Sequence, residues 1–194
     1  MNTLYGLVLA GGKSSRMGLA KESFVYHDGI SETRRIFGLL EELTSKAFYS
    51  VRPDQASLPL FSNGERIVDS APDQGPLGAL ASAFAHEPLA SWLLVPIDMP
   101  LLERQDLERL INARRKGYGI VAFVNEESSF EPLPAIYEGS LAEKAKSQLA
   151  LGRGALRALG DGIECVFLKN DRQNSLKNIN TAQERIWAME ALRG

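Results

Sequence analysis

The run Leu4 to Ala10 is apolar at nearly every position and stops at Gly11-Gly12. An apolar run of this length, closed by glycines, reads as a strand buried on both faces that ends in a tight turn. Such a strand is typical of a parallel sheet with both faces covered by helices.

The rest of the pattern agrees. Ile36, Leu39, Leu40 and Leu43 recur at helical spacing behind Ser31, a plausible N-cap region. Ala47 to Val51 follows as a second strand. Arg52 to Glu65 carries two prolines and the pair Asn63-Gly64, so it reads as loop up to a short strand at Arg66-Ile67-Val68. Pro76 opens a small-residue helix through about Ala85, Trp92 to Ile97 is the central strand, and Leu107, Leu110 and Ile111 mark the next helix. This alternation predicts a doubly wound, mostly parallel sheet flanked by helices. Ile120 to Val124 and Leu133 to Tyr137 are joined by the polar stretch Asn125 to Glu131, too short for a crossover helix. A small antiparallel excursion is therefore expected there. A late strand at Glu164 to Leu168 precedes a helix from about Thr181 to Leu192, and residues 1–194 are expected to form a single domain.

Charge and cysteine content narrow the function classes. With 22 Lys+Arg against 24 Asp+Glu the net charge is −2, which argues against a nonspecific binder of nucleic acid. Cys165 is the only cysteine, so an internal disulfide and a cysteine-based zinc cluster are excluded. A lone thiol in an apolar strand reads as core and suits a reducing, cytoplasmic location. Met1 to Leu9 lacks a basic lead-in and is read as neither signal peptide nor membrane span, and Trp92 to Ile97 is only strand-sized. No membrane association is expected.

The segment richest in chemistry is Leu7-Val-Leu-Ala-Gly-Gly-Lys-Ser-Ser-Arg-Met-Gly18, followed by Lys21. Glycines let backbone approach a ligand closely, and successive amides in such a turn make a concave site for phosphate oxygens. Arg16 and Lys21 add positive charge. No Gly-Lys-Ser/Thr closes the loop and no G-x-G-x-x-G is present, so the two commonest nucleotide motifs are absent. A Gly-Gly pair after a first strand is also simply a turn.

The string as a whole resembles the signature of nucleotidyltransferases that make nucleoside-diphosphate-linked products, and in particular the molybdenum cofactor guanylyltransferases. The likeness runs over nearly the whole chain in order: Leu9 to Gly18 with Lys21, Ser50-Val-Arg52 with Gln55, Asp69, Gly75-Pro-Leu-Gly78, Asp98-Met-Pro-Leu101, Glu131-Pro-Leu-Pro-Ala135 and Asn178-Ile-Asn-Thr181. It implies a Rossmann-like nucleotidyltransferase fold, with Leu9, Ala10, Gly11, Gly12 and Lys21 in the loop that binds GTP, Asp69 meeting the nucleoside and Asp98 holding Mg²⁺. Asn180 is implied as a second metal ligand. Substrates would be GTP and molybdopterin, the products molybdopterin guanine dinucleotide and pyrophosphate. The same likeness implies transient contact with other cofactor-biosynthesis or acceptor proteins. Two departures stand out. Val51 replaces the asparagine many members carry before the arginine to assist base recognition, and the usual Gly-Pro-Leu-Ala-Gly reads Gly75-Pro-Leu-Gly-Ala79.

Elementary chemistry allows these roles and plainer ones. Asp98 follows an apolar strand at its carboxyl end, where open α/β sheets bind ligands, and a carboxylate there suits a hard dication. Equally, an aspartate ahead of Leu107 could cap the helix. Asn180 could be a turn or N-cap residue, and Asp69 a loop aspartate before Pro72. Arg153, Arg157 and Lys169 read as surface cations before they read as substrate guides. His27 and His86 have no identifiable catalytic partner. The leading expectation is Mg²⁺-dependent transfer of GMP, with Arg16, Lys21 and Asp98 as the catalytic set. Arg16 and Lys21 would sit over the β and γ phosphates, and the amides from Ala10 to Gly12 would hold the nucleotide. The alternatives are cytidylyl or other nucleotidyl transfer to a phosphorylated small molecule, and a catalytically silent nucleotide-binding regulatory module.

Overall fold

The first apolar run forms β1 (Leu4–Leu9), an interior strand of a seven-stranded sheet in which it pairs in parallel with β4 (Ala47–Val51) on one side and with the middle strand β6 (Ser91–Pro96) on the other. The structure is a computed structural model that describes residues 1–11, 24–27, 29–125, 129–172 and 174–193. Between β1 and β4 come a two-stranded hairpin, β2 (Val25–His27) and β3 (Ile30–Ser31), and helix α1 (Glu32–Leu43). The order continues with β5 (Glu65–Val68), α2 (Gly75–His86), β6, α3 (Arg104–Asn112), β7 (Ile120–Val124), β8 (Phe130–Tyr137), α4 (Ala142–Ala150), β9 (Cys165–Lys169) and α5 (Ala182–Ala191).

Across the sheet the order is β5-β4-β1-β6-β8-β7-β9, and β8 alone runs antiparallel to its neighbours. The expected antiparallel excursion is thus one strand inserted between β6 and β7. In the β7–β8 ladder Ala122 pairs with Ala135 and Phe123 with Glu131, so Pro132, Leu133 and Pro134 are skipped. Prolines cannot donate to a ladder, and the resulting bulge re-aims the side chains inside it.

Period-two alternation sorts the strands between two cores. Val8, Leu93 and Val95 face Ile36, Leu40, Leu107 and Leu110 of α1 and α3. Leu7, Trp92 and Leu94 face Leu77, Leu80, Ala83 and Ala145 of α2 and α4. Full burial of each large apolar side chain contributes roughly 1.5–3 kcal/mol. Gly6 is required by closeness: a Cβ there would lie 2.7 Å from the Leu40 Cβ. Ser31 caps α1, its hydroxyl accepting the Arg34 N–H at 3.4 Å.

Helix α3 starts later than an Asp98 cap would need. Its N-cap is Glu103, in a reciprocal capping box with Asp106, and Arg172 bonds both carboxylates. The capping reading of Asp98 is therefore corrected. Cys165 is also corrected: it stands on edge strand β9 and is only partly buried. Arg52 to Glu65 contains two short 3-10 turns, Pro53–Gln55 and Pro59–Phe61.

At the rim formed by the start of β6 and the end of β8, the Arg114 guanidinium donates to both Glu138 oxygens, at 2.8 and 2.9 Å. The Ser91 hydroxyl donates to the same carboxylate. This largely buried ion pair closes the sheet at the end where β1, β4 and β6 begin.

Candidate active site

Chain order reverses direction between β1 and β6: the crossovers first lead outward to β4 and β5, then return to the other side of β1. Open α/β sheets bind ligands in the crevice at such a switch point, beyond the carboxyl ends of the strands. A cavity of about 310 Å³ lies there. Leu9, Ser50 and Pro96 occupy the same level of β1, β4 and β6, as their register pairing requires, and all three line it. Gly11 continues the wall beyond β1, and a Cβ on it would come within 3.3 Å of the Arg52 side chain.

Two carboxylates reach the cavity. Asp98 follows β6 and is half-buried on the wall, its backbone carbonyl accepting the Ile179 N–H at 2.7 Å. That bond draws the segment before α5 across the crevice, so Asn178 lines the cavity. Asn180 is tied into the helix start, its backbone N–H donating to Glu184 at 2.9 Å. That bond is the largest of the interactions holding the partly exposed Glu184 carboxyl below the usual range.

Asp69, beyond β5, is buried and on the wall. Its Oδ1 accepts the Ala71 N–H at 2.8 Å and the Ser82 hydroxyl at 3.2 Å. The Asx turn expected of a loop aspartate is present, and it aims the residue at the cavity as well. Gly75, with φ of 59°, and Pro76 begin α2 at the same wall. A helix N-terminus favours negative charge, which suits a phosphate-bearing ligand. Within Gly75-Pro-Leu-Gly-Ala79 the close approach falls at Gly78, where a Cβ would lie 2.3 Å from the Ala71 carbonyl.

Hairpin β2–β3 braces the segment that follows Asp98. The His27 Nε2 bonds the Pro100 carbonyl at 2.9 Å, and the Arg185 guanidinium lies 4.6 Å from the Phe24 ring and 5.8 Å from that of Tyr26. Burial pushes the Tyr26 phenol up to about 12; Arg185 pulls against it, and Glu32 and Asp98 add to it. Tyr26 therefore stays a neutral phenol at physiological pH.

Of the residues singled out in the sequence, Leu9, Gly11, Asp69 and Asp98 meet at one cavity. The Ala10 N–H, expected to face a nucleotide, donates instead to the Ser50 carbonyl at 3.2 Å, continuing the β1–β4 ladder. Gly12, Arg16 and Lys21 lie outside the described residues. Arg157 is held at the surface, donating to the Ser129 hydroxyl at 3.1 Å. Sequence reasoning passed over Ser50, Leu133 and Asn178 as site residues. Ser50 was findable as the last polar position of a parallel strand; Leu133 reaches the wall only through the β8 bulge.

Among the described residues, no group of three or more His, Cys, Asp or Glu side chains could hold a metal ion. A Mg²⁺ that takes one or two carboxylates and completes its shell with phosphates and water needs no such group. The oxygen donors of Asp98 and the neighbouring asparagines fit that chemistry. Among the described residues, no helix is long and apolar enough to cross a membrane.

A doubly wound sheet with this switch-point cavity has the architecture of a nucleotide-handling enzyme, and the chain has the Rossmann-like nucleotidyltransferase fold. It superposes with a TM-score of 0.81 on the molybdopterin-guanine dinucleotide biosynthesis protein A of Archaeoglobus fulgidus, at 21% identity over 97% of this chain and 98% of that one. In sequence it is 33% identical to a molybdenum cofactor guanylyltransferase of Xanthomonas euvesicatoria pv. vesicatoria, over 92% of this chain and 90% of the relative. It is 27% identical to a molybdenum cofactor biosynthesis bifunctional protein of Synechocystis, covering 93% of this chain but spanning only 52% of that protein's length. Residues 6–166 match the MobA-like NTP transferase domain, and the chain belongs to that family.

Proposed function

We propose that the protein transfers GMP from GTP to the terminal phosphate of molybdopterin, releasing pyrophosphate, with Mg²⁺ as cofactor. The observation that carries this reading is that Asp98, Asn178 and the first residues of α2, Gly75 and Pro76, line one cavity. The cavity thus combines oxygen donors with the positive end of a helix dipole, a combination that suits a metal-bound triphosphate. Bound Mg²⁺ would neutralise charge on the transferring and leaving phosphates. Asp98 and Asn180, helped by Asn178, would hold it. The Gly11 turn lets the nucleotide backbone approach, and Asp69, fixed by Ser82 and the Ala71 amide, orients the nucleoside. Arg16 and Lys21 supply cations to the β and γ phosphates. An acceptor phosphate monoester needs no strong base, because its second pKa of about 6 leaves it largely ionised at neutral pH.

Base choice is the finer point. The Val51 side chain is fully buried in the core that includes α1 and has no hydrogen-bonding group. The relatives named as guanylyltransferases favour GTP, and the test is a thermal-shift titration with GTP, CTP and ATP plus Mg²⁺, followed by pyrophosphate release with acceptor. GTP should stabilise most, since a ligand of the native state raises stability by mass action. A larger shift with CTP would move the assignment to cytidylyl transfer. Nucleotide binding without pyrophosphate release would leave a regulatory module. Lys21→Ala should lower turnover by on the order of a hundredfold.

A further inference from the structure

The two edges of the sheet, β5 and β9, are built differently. At β5 the edge is charged: Glu65 pairs with Lys46 at 2.6 Å, and the Arg66 guanidinium donates to the Ala56 carbonyl. Charge of this kind is one way sheets keep other strands from adding to them. Strand β9 reads Cys165-Val-Phe-Leu-Lys169 and carries its charge only at the end. At its centre stands Phe167, 50% exposed, with its ring 5.9 Å from that of Phe130.

Backbone alternation fixes which groups β9 offers. The Glu138 N–H donates to the Gly119 carbonyl, so Val121 is the next residue of β7 to turn its backbone to β8, while Ile120, Ala122 and Val124 turn theirs to β9. In a parallel ladder one member of each register pair turns both its groups toward the other strand, and its counterpart turns both away. Ile120, Ala122 and Val124 are in register with Cys165, Phe167 and Lys169, so these three point N–H and C=O out of the sheet. The Glu164 carbonyl agrees, accepting the Gly119 N–H on the inner side at 2.8 Å. Among the described residues, no backbone group bonds the outward side of Cys165 or Phe167. The Lys169 carbonyl accepts from Arg109 at 2.7 Å and keeps a second lone pair.

The outward set is symmetrical about Phe167, and that selects the occupant. A second β9 laid antiparallel, about a two-fold axis through Phe167 normal to the sheet, sets Phe167 opposite Phe167 and each Cys165 opposite a Lys169. Every outward residue then meets an outward residue, and each such pair exchanges both N–H···O bonds. The axis keeps the faces matched, so the Phe130 and Phe167 rings of one copy continue into those of the other, the kind of cross-strand aromatic pairing that stabilises sheets. Antiparallel order also parts the two Lys169 ammonium groups and carries each toward the start of the other strand, where Asp161 and Glu164 are exposed.

We propose that β9 is a self-association edge, through which two copies of this chain pair antiparallel about Phe167 into one continuous sheet. A contact through one short strand is small, so the dimer is transient, with a dissociation constant on the order of 10–100 μM.

The test is sedimentation equilibrium on the full chain between about 5 and 500 μM, a range that brackets that constant. Wild type is compared with Phe167→Lys, which sets two ammonium groups face to face on the axis, and with Phe167→Pro, which removes an N–H that β7 does not use. Both variants should melt as cooperatively as wild type and associate at least tenfold more weakly. Amide hydrogen exchange on the unmodified protein gives a second readout: the Cys165 and Phe167 amides should exchange more slowly as concentration rises, while those of β5 do not change. This measurement decides the matter if a variant fails to fold. A wild type that stays monomeric throughout would overturn the proposal and leave the edge to a different occupant. Equal association of wild type and a folded variant, or exchange at Cys165 and Phe167 that ignores concentration, would place any contact elsewhere and overturn it too.

Discussion

The carbonyl of Asp98 accepts the N–H of Ile179 at 2.7 Å, joining the end of β6 to the segment that leads into α5. Through this one backbone bond a carboxylate and a carboxamide from distant parts of the chain come to share a wall.

Asp98→Asn should therefore fold. The helix that follows is capped by Glu103 and Asp106, and the Ile179 bond uses backbone. A melting temperature within about 2 °C of wild type is expected, the effect of a substitution that breaks no packing or cap. Turnover at ordinary Mg²⁺ should fall by on the order of a hundredfold, and more metal should be needed to recover it. Magnesium titrations of pyrophosphate release that superimpose for the two proteins would remove Asp98 from the metal site.

Gly78→Ala should destabilise the fold and blunt the nucleotide response together. The added Cβ would meet the Ala71 carbonyl at 2.3 Å and the Asp69 Oδ1 at 3.3 Å. Overpacking of this kind costs about 1–3 kcal/mol, which lowers the melting temperature by roughly 3–10 °C in a chain this long. The GTP-induced shift should shrink as Asp69 is displaced. Melting curves with and without GTP check both effects, and an unchanged curve would show that the turn before α2 yields freely.

Cys165 should be a sluggish thiol despite its partial exposure. Burial pushes its pKa above the ordinary value, with the Glu164 charge adding to the rise and Lys144 opposing it. The reactive species is the thiolate, so at pH 7.5 less of it is present than on a free cysteine. Reaction with a disulfide reagent should be slower than for glutathione at that pH, and the rate should climb as pH passes above the usual thiol range. A rate equal to glutathione at pH 7.5 would contradict this.

The central strands were legible because burial on both faces removes ambiguity: Leu4 to Ala10 and Trp92 to Ile97 are apolar at successive positions, and the structure holds β1 and β6 there within one residue. The site was legible where its residues follow such strands, as Gly11 and Asp98 do. The hairpin β2–β3 was not, since strands of three and two residues carry no periodicity. Helix α4 escaped for a related reason: only Ala145 of its residues is fully buried, and one alanine makes no apolar stripe. Leu133 looked like an ordinary strand residue. Its turn toward the cavity follows from the flanking prolines, whose missing donors interrupt the ladder, a consequence visible only once β8 is seen to sit between two partners. Cys165 looked like core because β9 is apolar, yet order in the sheet, which strand composition does not reveal, makes β9 an edge.

The Arg114–Glu138 pair lies at the rim where β6 begins, and Asp98 lies where it ends. Removing one member of a buried pair strands the other charge and costs about 3–5 kcal/mol, a large share of a domain's stability. Damage at the two ends of one strand would consequently look different in a cell. A lesion at Arg114 would lower the number of molecules while each survivor worked at full speed; a lesion at Asp98 would leave the usual number, idle. The same missing product would trace to abundance in one case and to rate in the other, and only a measurement of protein level would tell them apart.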